Sequence, residues 1–144
     1  MLPHGFPDRC DKIAAMLLES IEVKDFRNLQ GSIAFADGLH ILIGENGVGK
    51  TNWLEAIAVL ASARSFRTPR LQDAVAFDSQ TAMIGGSVRE SPEIVRDLRI
   101  VITGNTKTVT INAKKETVSR YLGQLHAVVF NSDELEIVRG LPSS

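Results

Sequence analysis

The segment from Gly44 to Thr51 constrains this chain more than any other. It reads G-E-N-G-V-G-K-T, the full G-x-x-x-x-G-K-T pattern of a phosphate-binding loop. The apolar residues 39–43 before it predict a buried strand, and residues 53–61 after it carry apolar side chains at helical spacing. This strand–loop–helix context indicates a nucleotide site rather than a chance glycine-rich turn. The candidate nucleotide-binding residues here are Gly44, Glu45, Asn46, Gly47, Val48, Gly49, Lys50, Thr51 and Asn52.

The chemistry of this loop suits a nucleoside triphosphate with its metal ion. Glycines let the backbone curl so that successive N–H groups point inward at phosphate oxygens. A helix that begins at Lys50 adds its unpaired amides and the positive end of its dipole. In such a loop Lys50 reaches the β- and γ-phosphates and the Thr51 hydroxyl ligates Mg²⁺. We therefore expect ATP and Mg²⁺ as cofactors.

Composition narrows the class of protein without identifying a partner. The 144 residues suffice for one hydrophobic core, and the net charge of −1 means that any DNA-binding surface must be a local patch. The single cysteine, Cys10, excludes an internal disulfide and fits a reducing compartment. No run approaches the roughly 18 apolar residues of a membrane span, and no signal-peptide pattern opens the chain. These features predict a cytoplasmic protein that does not bind a membrane.

Two strand-like segments precede the phosphate loop. Residues 1–15 lack a clear period and predict a flexible tail, which is either functional or an incidental extension. Residues 17–26 alternate between apolar and polar and predict a half-buried strand, and residues 31–35 predict a second one. Asp37 and Gly38 turn the chain back toward the loop. Simple P-loop kinases usually place the loop on their first strand, so this order differs from theirs.

The part after the loop predicts one buried helix and a β-meander. The helix is apolar nearly all round, relieved mainly by Asn52 and Glu55, which predicts burial on more than one side. Pro69 stops any continuation of it. The further predicted elements are a short helix at 71–77, strands at 81–88, 94–103 and 108–112, a helix at 114–123, a buried strand at 127–130 and a last helix at 133–138.

Four motifs in order resemble those of the RecF family of bacterial recombination mediators, which carry an ABC-type, SMC-like ATPase head. They are K-D-F-R-N-L at 24–29, G-E-N-G-V-G-K-T-N at 44–52, R-S-F-R-T at 64–68 and V-V-F-N-S-D-E-L-E-I-V-R-G at 128–140. The resemblance implies an α/β P-loop NTPase lobe with an antiparallel β-meander in a mixed sheet, incomplete without a C-terminal half. Residues 16–144 are then the N-terminal ATP-binding lobe, and Ser144 is expected to be a truncation point.

The same resemblance implies the function. RecF-like heads form ATP-dependent homodimers, bind duplex DNA without sequence specificity, hydrolyse ATP slowly and act with other recombination mediators in loading recombinase at gaps. They belong to DNA replication, recombination and repair and to the SOS response. It also assigns Arg27 to a phosphate contact and Asn28 to the neighbourhood of the base, and a guanidinium fork suits phosphate oxygens. The alternative for Arg27 is a solvated charge at the end of a strand.

Residues needed for hydrolysis are missing from the sequence. Phosphoryl transfer needs a carboxylate on the metal side and a group that positions water; the family takes these from an apolar strand ending in two acids and from a serine-bearing signature, and neither motif occurs. Asp78 after an apolar run is the nearest candidate, but Ser79 follows it and a turn residue is the better interpretation. Residues 131–133 stand where related enzymes carry a glutamine. We expect binding without turnover by this chain alone.

Arg64, Arg67 and Arg70 recur around Phe66 and are the candidate DNA-binding residues. Contacts to the phosphate backbone would be salt-dependent and independent of base sequence. A solvated basic loop, or arginines that touch ATP, is an open alternative. A second possible patch contains Lys107, Lys114, Lys115 and Arg120, although hairpin lysines often only protect a sheet edge.

Other functions compete with the RecF-like one. They are another SMC-like or OLD-type P-loop ATPase, a small-molecule P-loop kinase that uses Asp78, and a nucleotide-binding module without enzymatic activity.

Overall fold

The computed structural model describes residues 16–45 and 47–130. Within them an antiparallel sheet of six strands carries one long helix on its inner face. In chain order the elements are β1 (Leu17–Phe26), β2 (Leu29–Ala34), α1 (Lys50–Ser62), a 3₁₀ turn (Leu71–Ala74), β3 (Thr81–Ser91), β4 (Ile94–Thr103), β5 (Thr106–Ile111), β6 (Lys114–Glu116) and α2 (Val118–Tyr121).

The sheet is ordered β2-β1-β3-β4-β5-β6, and every one of its strand pairs is antiparallel. Apolar residues at every second position of the central strands point to one face, which follows from the period of two in a strand. That face packs against α1 and forms the core. Its fully buried strand residues are Ile21, Val23 and Phe26 in β1, Ala82, Ile84 and Val88 in β3, and Leu98, Ile100 and Ile102 in β4.

Helix α1 sits close to the sheet because β3 offers it a glycine. A Cβ at Gly86 would lie 2.5 Å from Leu60 Cδ2 and 2.8 Å from the Ser20 carbonyl oxygen, so a side chain there would displace the Leu60 side chain and clash with the backbone of β1. On the far side, the Tyr121 hydroxyl of α2 donates to the Leu60 carbonyl at 2.6 Å. Burial raises the pKa of this tyrosine. The C-terminal end of α1 is thus held against β3 on one side and α2 on the other.

Most of the predicted elements are confirmed. The strands predicted at 17–26, 81–88 and 94–103 are β1, β3 and β4, and the helix that opens at Lys50 is α1. The buried residues of α1 are Glu55, Ala56, Ala58, Val59, Leu60 and Ala61, which lie on more than one side of it.

Two strand predictions are wrong. Residues 39–43 and 127–130 form no strand, and their apolar side chains are largely exposed, with Leu39 at 89% and Val128 at 82%. A strand buried on both faces needs neighbours to accept its backbone hydrogen bonds and cover its side chains. Within the described residues, no other strand lies beside either segment to provide them. Both segments are apolar, but neither is paired with a strand of the sheet.

The helix predicted at 114–123 is also wrong in its first part. Asn112 and Ala113 both have positive φ, at 49° and 64°, and make the tight turn of a hairpin that leads into β6. A helix begins only at Val118, where the Thr117 side chain accepts from the Arg120 amide as an N-cap. The predicted tail at 1–15 and the helix at 133–138 lie outside the described residues, as do Asn46 and residues 131–133. None of the helices that the structure describes combines the length and the apolar character needed to cross a membrane.

Candidate nucleotide site

The phosphate loop ends in a helix start suited to an anion. Helix α1 begins at Lys50, and Gly49 is its N-cap at φ 102° with no side-chain cap among the described residues. The first turn of α1 holds no acidic residue, so its backbone amides face no competing carboxylate of their own helix. The Lys50 ammonium reaches back across the loop and donates to the Gly44 carbonyl oxygen. The Lys50 side chain therefore spans the loop from its helix end to its first glycine.

Glycine is required at the helix end of this loop, at position 49. A Cβ on Gly49 would lie 2.9 Å from Asn28 Oδ1 and 3.0 Å from Leu29 Cδ2, and its φ of 102° is strained for any other residue. A Cβ on Gly44 would lie 2.9 Å from Val48 Cγ2. The positive φ explains why the pattern needs glycine at position 49, whereas the contact at position 44 is only with the tip of the Val48 side chain.

Asn28 joins the first turn of α1 from the β1–β2 bend. Asn52 Nδ2 donates to Asn28 Oδ1 at 2.6 Å, and the same oxygen lies beside Gly49. The sequence predicted both asparagines as site residues from separate motifs. The structure brings them into direct contact at the edge of the phosphate loop, whereas their contacts to a nucleotide stay a prediction.

A buried carboxylate lies one helical turn behind Asn52. The Glu55 side chain is fully buried. Arg27 binds it in a bidentate manner, with Nε 3.0 Å from Oε2 and Nη2 2.9 Å from Oε1. The Ser65 hydroxyl donates to Oε1 at 2.5 Å, and Arg67 Nη1 donates to Oε2 at 3.2 Å. Each carboxylate oxygen thus accepts from two donors.

The protonation of Glu55 follows from these donors. Burial alone would raise the pKa of its carboxyl. The hydrogen bonds from Arg27 and Ser65 and the positive charges of Arg27 and Arg67 outweigh burial, and the pKa lies below its usual value of 4.5. Glu55 is therefore ionised at neutral pH and pairs with two guanidinium groups.

Five side chains close a ring at this place, which we call the Glu55 network. Arg67 Nη1 also donates to Asn52 Oδ1 at 2.6 Å, so the contacts run from Arg27 to Glu55, Arg67, Asn52 and Asn28, and Asn28 follows Arg27 in the chain. The ring connects the β1–β2 bend, α1 and the loop after α1. It places Arg67 beside the phosphate loop. Arg67 was predicted to contact DNA, with a contact to ATP as the open alternative.

Backbone geometry fixes Arg27 in this network. Its φ is 54°, in the left-handed region that non-glycine residues seldom adopt. The Arg27 amide donates to the Ala74 carbonyl at 2.6 Å, and its Nη1 approaches the Asp73 carbonyl at 3.4 Å. The predicted phosphate contact stays untested, but Arg27 is not the solvated strand-end charge of the alternative, because its guanidinium is paired.

Sequence reasoning missed Glu55. It noted Glu55 only as a polar interruption in an otherwise apolar helix. A lone acid among apolar residues at helical spacing was the available signal, because a buried charge requires partners. Which partners it has could not be read from the sequence, since Arg27 and Ser65 lie 28 and 10 residues away from it.

A magnesium ion would find few protein ligands here. Thr51 is exposed at the helix start, and the described residues contain no group of three or more His, Cys, Asp or Glu side chains that could hold a metal. One hydroxyl is nevertheless enough, because Mg²⁺ usually takes one or two protein ligands and completes its shell with phosphate oxygens and water. The residues present fit such an ion. Asp78 lies in an exposed turn before β3.

A second concave region, which we call the basic cleft, lies between the loop after α1 and the β4–β5 turn. Its volume is about 640 Å³. Its basic lining residues are Arg64, Arg70 and Lys107, and none of the described residues that line it is acidic. Lys107 Nζ also donates to the Ala63 carbonyl at 2.7 Å, at the C-terminal end of α1. Two of the three predicted DNA-binding arginines therefore share a surface, and the third does not.

The second predicted basic patch is not one surface. Lys107 pairs with Ile102 at one end of β5, whereas Lys114 pairs with Ile111 at the other end. Arg120 and Lys114 both lie within ion-pair distance of Glu116, at 3.5 and 3.9 Å. Only Lys107 joins the basic cleft.

Comparison with known proteins decides the family. The family model of the RecF/RecN/SMC N-terminal domain matches residues 17–136, which is most of the chain. The chain belongs to this family. The resemblance that the four motifs carry is thereby confirmed.

Curated RecF proteins are similar to this member of the family over most of its length. The DNA replication and repair protein RecF of Lactobacillus acidophilus is 40% identical over 130 residues, and that of Oceanobacillus iheyensis is 39% identical over 129 residues. The alignments cover 89% and 88% of this chain but 34% and 35% of the relatives. The chain spans about a third of the length of these relatives.

Solved RecF structures share its fold. One, described as the recombination mediator protein RecF-ATP in the RecFOR pathway, superposes with a TM-score of 0.80 at 30% identity. A second, described as RecF-ATPrS in the same pathway, gives a TM-score of 0.78 at 31% identity. They cover 87% and 86% of this chain and 34% of their own chains. The predicted fold class, a P-loop head lobe with an antiparallel meander, is confirmed.

Proposed function

We propose that this chain is the ATP-binding lobe of a RecF-like DNA recombination and repair ATPase. The observation that carries the proposal is the start of α1. There Gly49, Lys50 and the uncapped helix amides lie together, with Asn28 and Asn52 beside them, and this arrangement suits an anion. Support comes from the similarity to a RecF structure whose description names ATP.

In this proposal the triphosphate lies along the loop. The amides of the first turn of α1 donate to phosphate oxygens, which the positive end of the helix dipole also favours. The Lys50 ammonium exchanges its contact with the Gly44 carbonyl for the β- and γ-phosphates. The Thr51 hydroxyl would hold Mg²⁺, which would neutralise charge on the phosphates. Asn28 lies toward the base.

The lobe binds ATP without turning it over alone. Hydrolysis needs a metal-side carboxylate and a serine-bearing signature, and neither motif occurs in these 144 residues. The RecF-like whole protein would supply them, pair its heads as an ATP-dependent homodimer in the cytoplasm and work with other recombination mediators in loading recombinase. These properties of the whole protein are extensions from the relatives.

The basic cleft is the proposed DNA contact of this lobe. Arg64 and Arg70 extend from the loop after α1, Lys107 faces them from β5, and the described lining contributes no acid to oppose them. Such a surface suits the phosphate backbone of DNA and reads no base sequence.

Lys50→Ala tests the nucleotide site. We expect Mg²⁺–ATP to bind the wild-type chain in isothermal titration calorimetry and binding by the variant to be lost at millimolar ATP, because the variant lacks the ammonium that the loop directs inward. Lys24→Ala, on the exposed face of β1, is the matched control and keeps wild-type affinity. Equal affinity in Lys50→Ala and wild type would refute the proposed function.

A further inference from the structure

Packing does not require an acid at position 55. Glu55 is fully buried in a helix whose other buried residues are apolar. A buried ion pair generally does no more for stability than a well-packed apolar residue of similar size, because desolvation offsets the attraction. The donors around Glu55 come from two separate segments of the chain, the β1–β2 bend and the loop after α1. An acid at this position therefore suggests a task other than filling space.

The Glu55 carboxylate determines where two arginines lie. Its Oε2 accepts from Arg27 Nε and Arg67 Nη1 together, so both guanidinium groups are held on one atom. Its Oε1 accepts from Ser65, whose oxygen in turn accepts from the backbone amides of Arg67 and Thr68 at 2.9 and 3.2 Å. The course of the loop after α1 is thus tied to the same carboxylate.

Arg67 is held at the phosphate end of α1. Its Nη1 is shared between Glu55 and Asn52, and Asn52 lies in the first turn of the helix. The Arg67 side chain is 39% exposed, whereas that of Glu55 is fully buried. Within the described chain, Nη1 is the guanidinium nitrogen of Arg67 that has hydrogen-bond partners, and Nε and Nη2 make no contact in the network.

We propose that Glu55 is a positioning residue of the nucleotide site, which holds the Arg67 guanidinium beside Asn52 so that it donates to a phosphate group of bound nucleotide. This inference rests on the proposed function. Glu55 itself touches no nucleotide. It acts through Arg67 and keeps that arginine on the phosphate side of the loop rather than in the basic cleft, where Arg64 and Arg70 lie.

A double-mutant cycle tests the coupling. Mg²⁺–ATP affinity is measured by calorimetry for the wild-type chain, Glu55→Gln, Arg67→Ala and the double variant. Each single change should weaken binding about tenfold, as the loss of one charge-assisted hydrogen bond does. The double variant should also lose about tenfold rather than a hundredfold, because both changes remove the same contact. Arg96→Ala removes an arginine of β4 that is ion-paired with Glu90 of β3, and it should leave the affinity unchanged.

The outcomes separate this inference from the proposed function. If wild type fails to bind ATP, the proposed function fails. If wild type binds and the two losses multiply to about a hundredfold, Glu55 acts independently of Arg67 and the positioning role is overturned. Wild-type affinity in Arg67→Ala overturns it as well. That measurement stands even if Glu55→Gln does not fold, because Arg67 is partly exposed and its removal leaves the core intact.

Discussion

The arginines of the loop after α1 lie in two regions, which differ in whether an acidic side chain is present. In the Glu55 network, Arg67 meets a buried carboxylate, and every charge there has an opposite charge within 3.2 Å. In the basic cleft, Arg64 and Arg70 line a surface to which the described residues contribute no acid. Three arginines at regular spacing in one short segment therefore belong to different surfaces. The position of one acid, not the spacing of the basic residues, separates them.

Hydrogen bonds of the Ser65 side chain set the course of the backbone that separates these arginines. Its hydroxyl group donates to Glu55 and accepts from the amides of Arg67 and Thr68, which turns the chain inward at Arg67. Thr68 Oγ1 then accepts from the Arg70 amide at 3.3 Å as the chain leaves the turn. A regular helix would have placed the arginines on one face. In the loop, Arg67 instead points toward Glu55, whereas Arg64 and Arg70 line the basic cleft.

The largest expected effect is on stability. Glu55→Ala leaves the Arg27 guanidinium partly buried without its partner, and breaking a buried pair in this way costs about 3–5 kcal/mol. Arg64→Ala removes an exposed side chain of the cleft and should change the free energy of unfolding by no more than about 0.5 kcal/mol. Urea denaturation followed by circular dichroism measures both. Similar losses in the two variants would erase the distinction between the regions.

A smaller effect is expected on the salt dependence of DNA binding, which should involve the basic cleft and not the Glu55 network. Arg64→Ala combined with Arg70→Ala should lower duplex DNA affinity and reduce the slope of log affinity against log salt by about two, since each lost phosphate contact contributes about 0.9. Lys24→Ala with Arg99→Ala removes the same charge from the outer face of β1 and β4 and is the control. Fluorescence anisotropy at several salt concentrations measures the slope. If the control pair reduces it equally, the cleft is not the DNA contact.

Sequence reasoning succeeded where the decisive contacts are local. The phosphate loop is a contiguous signature, and β1, β3, β4 and α1 each carry their own period. It failed where partners decide the outcome. Residues 39–43 are as apolar as a buried strand, yet Ile41 is 73% exposed, because an apolar run does not say whether another strand lies beside it.

The candidate site shows the same limit. The motif around the loop gave Gly49, Lys50 and Thr51, which sit next to one another in the chain. The direct contacts of the Glu55 network join residues up to 28 positions apart, and a single positive φ at Arg27 brings one of them into place. A left-handed conformation at an arginine has no sequence signature comparable to that of a glycine. The motifs therefore named Arg27 and Arg67 as candidates, but not the Glu55 carboxylate that joins them.

The smallest expected effect is a pH dependence confined to the network. The folded-state pKa of Glu55 lies below 4.5, so its stabilising contribution is present above that pH and is lost as the pH falls through the folded-state value. Each unit by which the pKa is lowered corresponds to about 1.4 kcal/mol. Glu55→Gln lacks the titrating group, and the difference in unfolding free energy between wild type and this variant should shrink from pH 7 toward pH 3.

Urea denaturation at a series of pH values measures that difference, and the cleft provides the comparison. Arg64→Ala keeps the Glu55 network, so its curve should run parallel to that of wild type across the whole range. Glu22→Gln, which removes an exposed carboxylate from β1, controls for the change in net charge. A constant gap between wild type and Glu55→Gln down to pH 3 would mean that the carboxylate gains nothing from Arg27 and Arg67 on folding. The network would then be an arrangement of neighbours rather than a set of interacting charges, and the contrast with the cleft would rest on shape alone.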